Sequence, residues 1–441
     1  MLETVEKLSH VDHVLKRPDS YVGSTSLVAE EYWLLNADAT GFEKRLIRYS
    51  PALLKIFDEV LVNAIDRNSL YPKDVTSIKI DVDASTGAIT IENNGPLGGV
   101  AVVENGKENA YNPELVFGHL LTSTNYDDSQ KRIVGGRNGY GAKLANIYSQ
   151  DFAIKVKDPV NKVLYTQKWT KNMSVRGEPK VKAYASATAS VSVTFTPDWK
   201  RFHMDGIDDA IVDVFRKRAW DAAVCTSPQC KIKWRGEAIS ALNFEKFAKM
   251  HTGLEKMLTV VTDRWTVSIG PSPDSSFEQV SFVNGISTTK GGTHVDHAAS
   301  VVAGGVIAEL SKKIQLKPQQ VKNAFWIFVK ATLENPAFSS QVKSECTSKI
   351  SEFGSRFEPP SKTYFKNVLK TGIQEELMLL SKIKDMKLLA KSDASNARKS
   401  KITGIPKLDD ANKAGTQQSG KCTLILTEGD SAKTLAVAGL S

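Results

Sequence analysis

The chain has 441 residues, 41% hydrophobic and 24% charged, with 58 basic against 49 acidic side chains and a net charge of +9. That length predicts two or three domains with ordinary cores, and the lack of an apolar run of about 18 residues or of a signal-peptide pattern argues against a membrane protein and for a soluble, intracellular one. Cys225, Cys230, Cys346 and Cys422 form no CxxC pair and have no matching histidines, which excludes a disulfide framework or a structural zinc site as the organising device.

From the N-terminus, an amphipathic stretch runs to Pro18, which stops a helix, and Gly23, which marks a turn; by itself this segment reads as a linker. Pro51 to Asn68 predicts a helix, because proline suits the first turn and Phe57, Leu61 and Ile65 share one side with Val60 and Ala64 alongside. At about 100° per residue, Glu59, Asn63 and Asp66 lie within about 60° of one another on the other side. A carboxylate and a carboxamide one turn apart suit a shared ligand, Glu59 polarising a water and Asn63 giving its oxygen to Mg²⁺; a solvent-facing polar stripe is the plainer alternative. Ser77–Asp83 and Ala88–Glu92 alternate as strands around a Ser85-Thr86-Gly87 turn. The second runs into Asn93-Asn94-Gly95, where asparagine either reads the amino edge of a base or closes a turn. Residues 96–113 read as loop. The hydroxyl-rich Thr122, Ser123, Thr124 and Asn125 suit a phosphate or ribose, or a helix cap.

Gly135, Gly136, Gly139 and Gly141 fall within seven residues and lead into a helix-like Ala142–Tyr148. Glycines so dense cannot build a core, but they let the backbone pass close to a ligand, and a loop feeding a helix N-terminus aims unpaired N–H groups at an anion. Lys143, in the first turn, adds a charge for a phosphate. From Asp151 to Lys233 strands dominate (Phe152–Val156, Val163–Trp169, Val181–Tyr184, Val191–Phe195) with one helix over about 206–225, which implies sheet and helices in two layers.

A second unit begins near Gly236. It offers strands at Trp265–Ile269 and Gln279–Phe282, a Val283-Asn284-Gly285 turn, a helix from about Val295, a strand-like Val321–Leu333 and a polar loop, Ser339–Lys343, carrying one cation. A long helix over about Tyr364–Lys391 follows, then a last strand, Cys422–Leu426, running into Glu428 and Asp430, two carboxylates suited to Mg²⁺. His294 and His297 stand three apart without further ligands, so no metal is expected there. Between Ser381 and Lys401 seven basic residues meet two acids, a solvated helix face or a track for phosphates.

In sequence these features, a Glu-x-x-x-Asn helix, an Asn-Asn-Gly after a strand, a hydroxyl-rich segment and a glycine loop, resemble the GHKL (Bergerat) ATP-binding fold, an α/β sandwich shared by DNA gyrases, topoisomerases, mismatch-repair ATPases, heat-shock chaperones and histidine kinases. Leu120–Asp128, Gly135–Lys143, Val283–Gly292 and Leu426–Ala432 narrow the likeness to eukaryotic-type type IIA DNA topoisomerases, over nearly the whole chain. The resemblance implies a mixed α/β (α+β) architecture: a GHKL ATPase domain over 1–235, a ribosomal-protein-S5-like transducer over 236–405 and the start of a TOPRIM cleavage domain over 406–441. It implies ATP and Mg²⁺ as cofactors, double-stranded DNA as partner, a homodimer formed on ATP binding, a nuclear location (a viral or cytoplasmic origin being the alternative) and no membrane.

By matching position, Glu59 is the general base and Asn63 holds Mg²⁺. Asn93 takes the place of the adenine reader, and Ser123, Thr124 and Asn125 line ribose and phosphates. Gly136, Arg137, Asn138, Gly139, Tyr140, Gly141 and Lys143 form the phosphate lid, while Gln341 and Lys343 reach the γ-phosphate from the second domain. Lys312, Lys313 and Lys317 stand for a thinned lysine loop that touches DNA, and Glu428 for the first metal ligand of a cleavage site whose other residues are expected beyond Ser441, so that the fragment is expected to hydrolyse ATP without cutting DNA. Four positions depart from the family pattern: Pro96-Leu97-Gly98-Gly99 after Asn-Asn-Gly, Val342 for threonine, Arg67 for asparagine, and Val5 where an arm tyrosine is usual. A mismatch-repair or chaperone-type clamp would share the nucleotide motifs but not Glu428–Lys433. The departures leave open a nucleotide-binding clamp with little turnover.

Overall fold

A short helix, α1 (His10–Lys16), opens the chain, capped by the Ser9 hydroxyl, which accepts from the Asp12 amide at 3.1 Å. An antiparallel hairpin follows, β1 (Val28–Leu35) with β2 (Phe42–Tyr49). Ser50 then caps α2 (Pro51–Leu70), and Pro51 sits at the first turn, where its missing N–H has no intrahelical partner to lose. α2 is buried on nearly every side: Phe57 and Leu61 on one flank, Glu59 and Asp66 on the other.

The first half continues through β3 (Ser77–Asp83), β4 (Ala88–Asn93), β5 (Val102–Asn105), β6 (Glu108–Tyr111), α3 (Asn112–Gly118), α4 (Gly141–Ile147), β7 (Ser149–Asp158), β8 (Val163–Thr170), β9 (Val175–Arg176), β10 (Lys180–Ala183), β11 (Ser190–Pro197), α5 (Asp209–Cys225), β12 (Lys231–Trp234) and β13 (Glu237–Ala238). Nine of these strands form one sheet, ordered β10-β8-β7-β11-β4-β3-β12-β13 with β9 on β8. Only β12 on β3 is parallel, with α5 in the crossover between more distant strands. Strict alternation gives the sheet one apolar face, with Ile78, Ile80, Ile91, Ile154, Val156 and Val193 in a core shared with α2, α4 and α5. Its other face is wet.

The second half comprises α6 (Phe244–Thr252), β14 (Leu258–Val261), β15 (Trp265–Pro271), β16 (Glu278–Val283), β17 (Ile286–Ser287), α7 (Thr293–Leu310), α8 (Pro318–Asn323), β18 (Phe325–Ala331) and α9 (Tyr364–Val368). Its five strands are ordered β14-β15-β18-β16-β17, and β18 runs parallel to β16 because α7 and α8 provide the crossover. A second apolar core takes residues from both halves: Leu35 and Phe42 of the hairpin, Trp220 of α5, Phe247 of α6, Phe282 of β16 and Phe328 of β18. The β1–β2 hairpin, which sequence patterning leaves unread, is therefore a wedge between the halves.

The computed structural model describes residues 6–105, 108–122, 131–136, 139–239, 242–361, 363–382, 408, 411 and 413–440. They fall into two compact units, Met1–Gln374 and Glu375–Ser441. Several expectations change. Of the described residues in 96–113, only 96–101 are loop; Val102–Asn105 and Glu108–Tyr111 form a hairpin (β5, β6) leading into α3. Val321–Leu333 is not one strand: Pro318 starts α8, and the chain straightens only at Phe325. The helix expected from Tyr364 is broken at Leu369–Ile373 by a wide turn in which Gly372 has φ 116°, and it is helical again over 374–382. Cys422–Leu426 is extended without a partner strand among the described residues, and Leu424 and Leu426 stand 75% and 86% exposed; a strand needs a ladder that this segment does not find. β13 extends the first sheet to Ala238, slightly past the boundary expected at 235.

Candidate functional site

The site is built on α2. Glu59, Asn63 and Asp66 do not face solvent: they line a cavity of about 610 Å³ between α2, the apolar face of the large sheet and a loop from the second half. Asn93, Val191 and Val193 form its floor, and Thr122, Gly139, Tyr140, Gly141 and Lys143 one wall. Gln341 and Lys343 enter from the loop after β18.

Glu59 is 4% exposed and holds two cations on one oxygen: Lys55, one turn earlier on α2, forms a short ion pair with Oε1, and Lys343 Nζ lies 3.5 Å from the same atom. Burial alone would raise the Glu59 carboxyl; Lys343 and Lys55 outweigh it and bring it down to about 2. Burial pulls Lys55 below the ordinary lysine value, against the attraction of Glu59. Lys343 also donates to the Gly135 carbonyl at 3.2 Å, and its backbone adopts φ 64°, a left-handed conformation disfavoured for a side-chain-bearing residue. Leu121, on the opposite wall, is strained in the same way at φ 59°. Such strain concentrates where a segment must hold one shape for a ligand.

Asp66 anchors the glycine loop, its two oxygens accepting from the Gly135 and Gly136 amides at 2.8 and 3.0 Å. Burial pushes its carboxyl up to about 7, against those two hydrogen bonds. Gly141 opens α4 against Glu59: a Cβ there would come within 2.6 Å of Glu59 Oε2, so only glycine lets the helix start at the carboxylate. Lys143 donates to the Thr122 carbonyl at 2.7 Å and is pulled down to about 8 by burial. Asn63 has no side-chain hydrogen-bond partner among the described residues and faces the cavity beside Glu59. Asn93 closes an Asx turn, its Oδ1 accepting from the Gly95 amide at 3.1 Å, and it also lines the floor of the cavity.

The second half is held to this wall by its own turn. Asn284 donates to the Val134 carbonyl at 3.3 Å, and a Cβ on Gly285 would lie 2.6 Å from Ile65 on α2. The N-terminal segment is no linker: Tyr148 donates to the Val14 carbonyl at 2.7 Å, Tyr21 packs edge-on against Tyr140 at 5.6 Å, and Val342 lies against Gly23. Val342 thus replaces a hydroxyl with an apolar contact to the N-terminal segment. Two departures also explain each other, because the Arg67 guanidinium donates to the Pro96 carbonyl and stacks 4.5 Å from the Tyr71 ring, fixing the altered segment at the cavity edge. Lys55 is a site residue that reading the sequence missed, its spacing four residues before Glu59 being the available signal, and Arg67, noted there only as a departure, lines the cavity.

Ser123, Thr124, Asn125, Arg137, Asn138 and Val5 lie outside the described residues, as does the basic run beyond Lys382. Lys312, Lys313 and Lys317 are all exposed between α7 and α8, away from the cavity lining. Glu428 is exposed in the second unit, and no cluster of three His, Cys, Asp or Glu that could hold a metal occurs among the described residues. His294 lies beside Thr288 Oγ1 at 3.2 Å, and His297 accepts from the Phe357 amide at 3.1 Å. No described helix is long and apolar enough to cross a membrane.

A helix-borne Glu and Asn over a mixed sheet, with a glycine loop opening a helix at the carboxylate, defines an ATPase sandwich of the GHKL class joined to a second α/β domain. The ATPase region of Saccharomyces cerevisiae topoisomerase II superposes with a TM-score of 0.80 at 37% identity, covering 86% of this chain and 98% of that one. The ATPase and transducer domains of DNA topoisomerase II from Balamuthia mandrillaris give 0.82 at 36% identity, covering 87% and 98%. In sequence, the probable DNA topoisomerase 2 of Dictyostelium discoideum is 42% identical over all of this chain and 29% of its own length, and a DNA gyrase B family model matches residues 237–401. The chain belongs to the DNA topoisomerase II family, and it spans about a third of the length of the curated relatives it matches.

Proposed function

We propose that this chain is the ATP-driven gate of a type IIA DNA topoisomerase, which dimerises when ATP fills the α2 cavity and so captures one duplex for passage through a break in another. Residues 1–235 would form the ATPase domain, 236–405 the transducer, and 406–441 the start of the cleavage domain, with Glu428 as a metal ligand there. The parent enzyme would work in the nucleus, as its eukaryotic relatives suggest.

One observation carries the reading. Two buried ammonium groups, Lys55 and Lys343, share the Glu59 carboxylate, and the next acid in electrostatic reach of Lys343, Asp66, is held toward its neutral form by burial, so positive charge outweighs negative at the end of a cavity of about 610 Å³. A buried surplus charge is costly until an anion neutralises it, and a terminal phosphate is an anion of fitting size. Lys343 then has a second partner. While it stays on Glu59 it holds the carboxyl near 2, a poor base; drawn onto a γ-phosphate, it frees Glu59 to accept the proton of the attacking water. The water oxygen bonds to the γ-phosphorus as the bond to the β–γ bridging oxygen breaks, and ADP departs with that electron pair. Lys143 and the N-terminal amides of α4 stabilise the charge that develops on the phosphates, as Gly136, Gly139 and Tyr140, with Arg137, Asn138, Ser123, Thr124 and Asn125, would by resemblance. Gln341 rides on the same loop, so loss of the γ-phosphate releases the second domain.

The cavity also suits Mg²⁺ of the kind held largely by phosphates and water: Asn63 supplies one free amide oxygen, and no all-protein cage exists among the described residues. Bound there, the ion would neutralise phosphate charge.

The test is ATP hydrolysis against protein concentration, with and without duplex DNA, for wild type, Glu59→Ala and Lys343→Ala. A rate rising faster than linearly with concentration and lost in both variants supports the gate. Binding without turnover in wild type would replace it with a nucleotide-dependent clamp.

A further inference from the structure

The wet face of the large sheet, on the side away from the cavity, carries charge unevenly. Strand register defines its rows. One row crosses the sheet as Lys180, Thr166, Lys155, Ser192, Glu92, Lys79 and Lys233. The next runs Lys182, Leu164, Lys157 and Ser190. Over β10, β8, β7 and β11 the face presents Lys155, Lys157, Lys168, Lys180 and Lys182 against Asp151 alone, which is taken by Lys168 at 2.5 Å. Over β4, β3 and β12 the same face balances Lys79, Lys231 and Lys233 with Asp81, Asp83 and Glu92. Lys155, Lys157, Lys180 and Lys182 make no ion pair among the described residues.

The four lie on a rigid lattice, two residues apart along a strand (about 7 Å) and two strands apart across the sheet (about 10 Å). Between them stand Thr166 and Ser192, part-exposed hydroxyls that can donate to anionic oxygens; Ser190, in the second row, is buried. Like charges held this close without carboxylates repel one another, and the fold does not need them: the face is exposed and its buried side is complete. A scattered solubilising charge would not put four lysines without ion pairs among the described residues on β7 and β10 while β4, β3 and β12 balance theirs one for one.

We infer that the β10–β8–β7–β11 face is a duplex-binding surface of the ATPase half, its four free lysines contacting backbone phosphates without reading sequence. A broad, sequence-blind row of cations interleaved with hydroxyls fits a nucleic-acid backbone. The surface lies on the opposite side of the sheet from the nucleotide, so it is distinct from Lys312, Lys313 and Lys317. The choice of duplex DNA as the anion rests on the proposed function.

The test measures binding of a fluorescent 30-base-pair duplex as a function of salt, using the whole chain. If four phosphate contacts are lost, the slope of log K against log salt falls by about 3.6 in K155E/K157E/K180E/K182E. The corresponding quadruple arginine variant should bind like wild type, and basal ATP hydrolysis and melting temperature should stay unchanged in both. An unchanged slope in the glutamate variant overturns the proposal. So does a change of the same size with polyglutamate as competitor but none with duplex. Absence of ATP turnover in wild type would instead strike the gate reading, while leaving the binding result readable.

Discussion

Neighbouring residues on α2 belong to two ionic clusters that differ in one count. Asp58 faces α5. There it receives the Arg218 guanidinium at 2.7 Å, Arg218 donates to Asp221 at 2.8 Å, and Asp221 holds Lys217 at 2.5 Å. Two cations meet two carboxylates, all within the ATPase half, and the Lys217 ammonium lies 5.3 and 5.1 Å from the rings of Phe42 and Phe247 at the joint between halves. Glu59 faces the cavity, where two cations meet one carboxylate and one of them arrives on a strained loop from the other half. The closed cluster has every charge answered and nothing to exchange. The open one has a surplus charge, a movable member and an empty volume beside it. The same physics makes the first a structural device and the second a site.

That contrast breaks first at Glu59. Glu59→Gln keeps the shape and removes the base, so hydrolysis should fall by about 10²–10⁴-fold. Stability should fall far less than the buried location suggests, because Lys343 can turn into the cavity. Steady-state turnover and thermal melting on one preparation check both halves of the statement; a variant that unfolds before it loses turnover would make the open cluster structural.

The mirror experiment is Arg218→Leu. It leaves Asp58 and Asp221 buried with too few partners, which costs about 3–5 kcal/mol. Denaturant unfolding should show that loss, while the fraction that remains folded keeps near-normal nucleotide affinity. A stable variant with lost turnover would reverse the assignment.

How much of this was legible beforehand depends on how local each signal is. α2 and its polar triad were readable because period and spacing sit in one helix, and the glycine loop because four glycines in seven residues before a helix form a local pattern; that Gly141 meets Glu59 was not. The orientation of the triad was not readable: an exposed stripe and a cavity lining share one pattern until the partners across from it are known. The β1–β2 hairpin and the Arg67–Pro96 contact are tertiary and left no periodic trace. The strand expected at Cys422–Leu426 failed for the converse reason, since its residues suit a strand but find no partner strand among the described residues. Lys155, Lys157, Lys180 and Lys182 drew no expectation from the sequence, and only the strand register puts the four on one patch.

A smaller effect sharpens the role of Lys55. Lys55→Met removes one of the two cations on Glu59, so the carboxyl must rise from about 2 and the acid limb of the pH–rate profile should move to higher pH. Turnover near neutrality should drop by about tenfold, roughly 1.4 kcal/mol of lost positioning. Lys55→Arg should restore the limb. A profile unmoved by Lys55→Met would mean that Lys343 alone sets the base.

The least disruptive test uses pH without mutation. Burial pulls Lys143 down to about 8 in the free protein, so part of its charge is already lost in mildly alkaline solution. A phosphate beside it favours the charged form and raises that value, so nucleotide binding must take up a proton wherever the free protein has begun to lose one. The sign follows: affinity is full below about 8 and declines as pH rises through it, by several-fold at pH of roughly 9. Calorimetry in buffers of different ionisation enthalpy should report proton uptake on that limb that is lost in Lys143→Met, separate from any uptake near neutrality by Asp66, whose carboxyl sits at about 7. In Lys143→Met the affinity should be lower at every pH and flat across this range. An alkaline limb that survives the substitution would move the phosphate charge contact from Lys143 to Lys55 or Lys343, and with it the boundary of the open cluster.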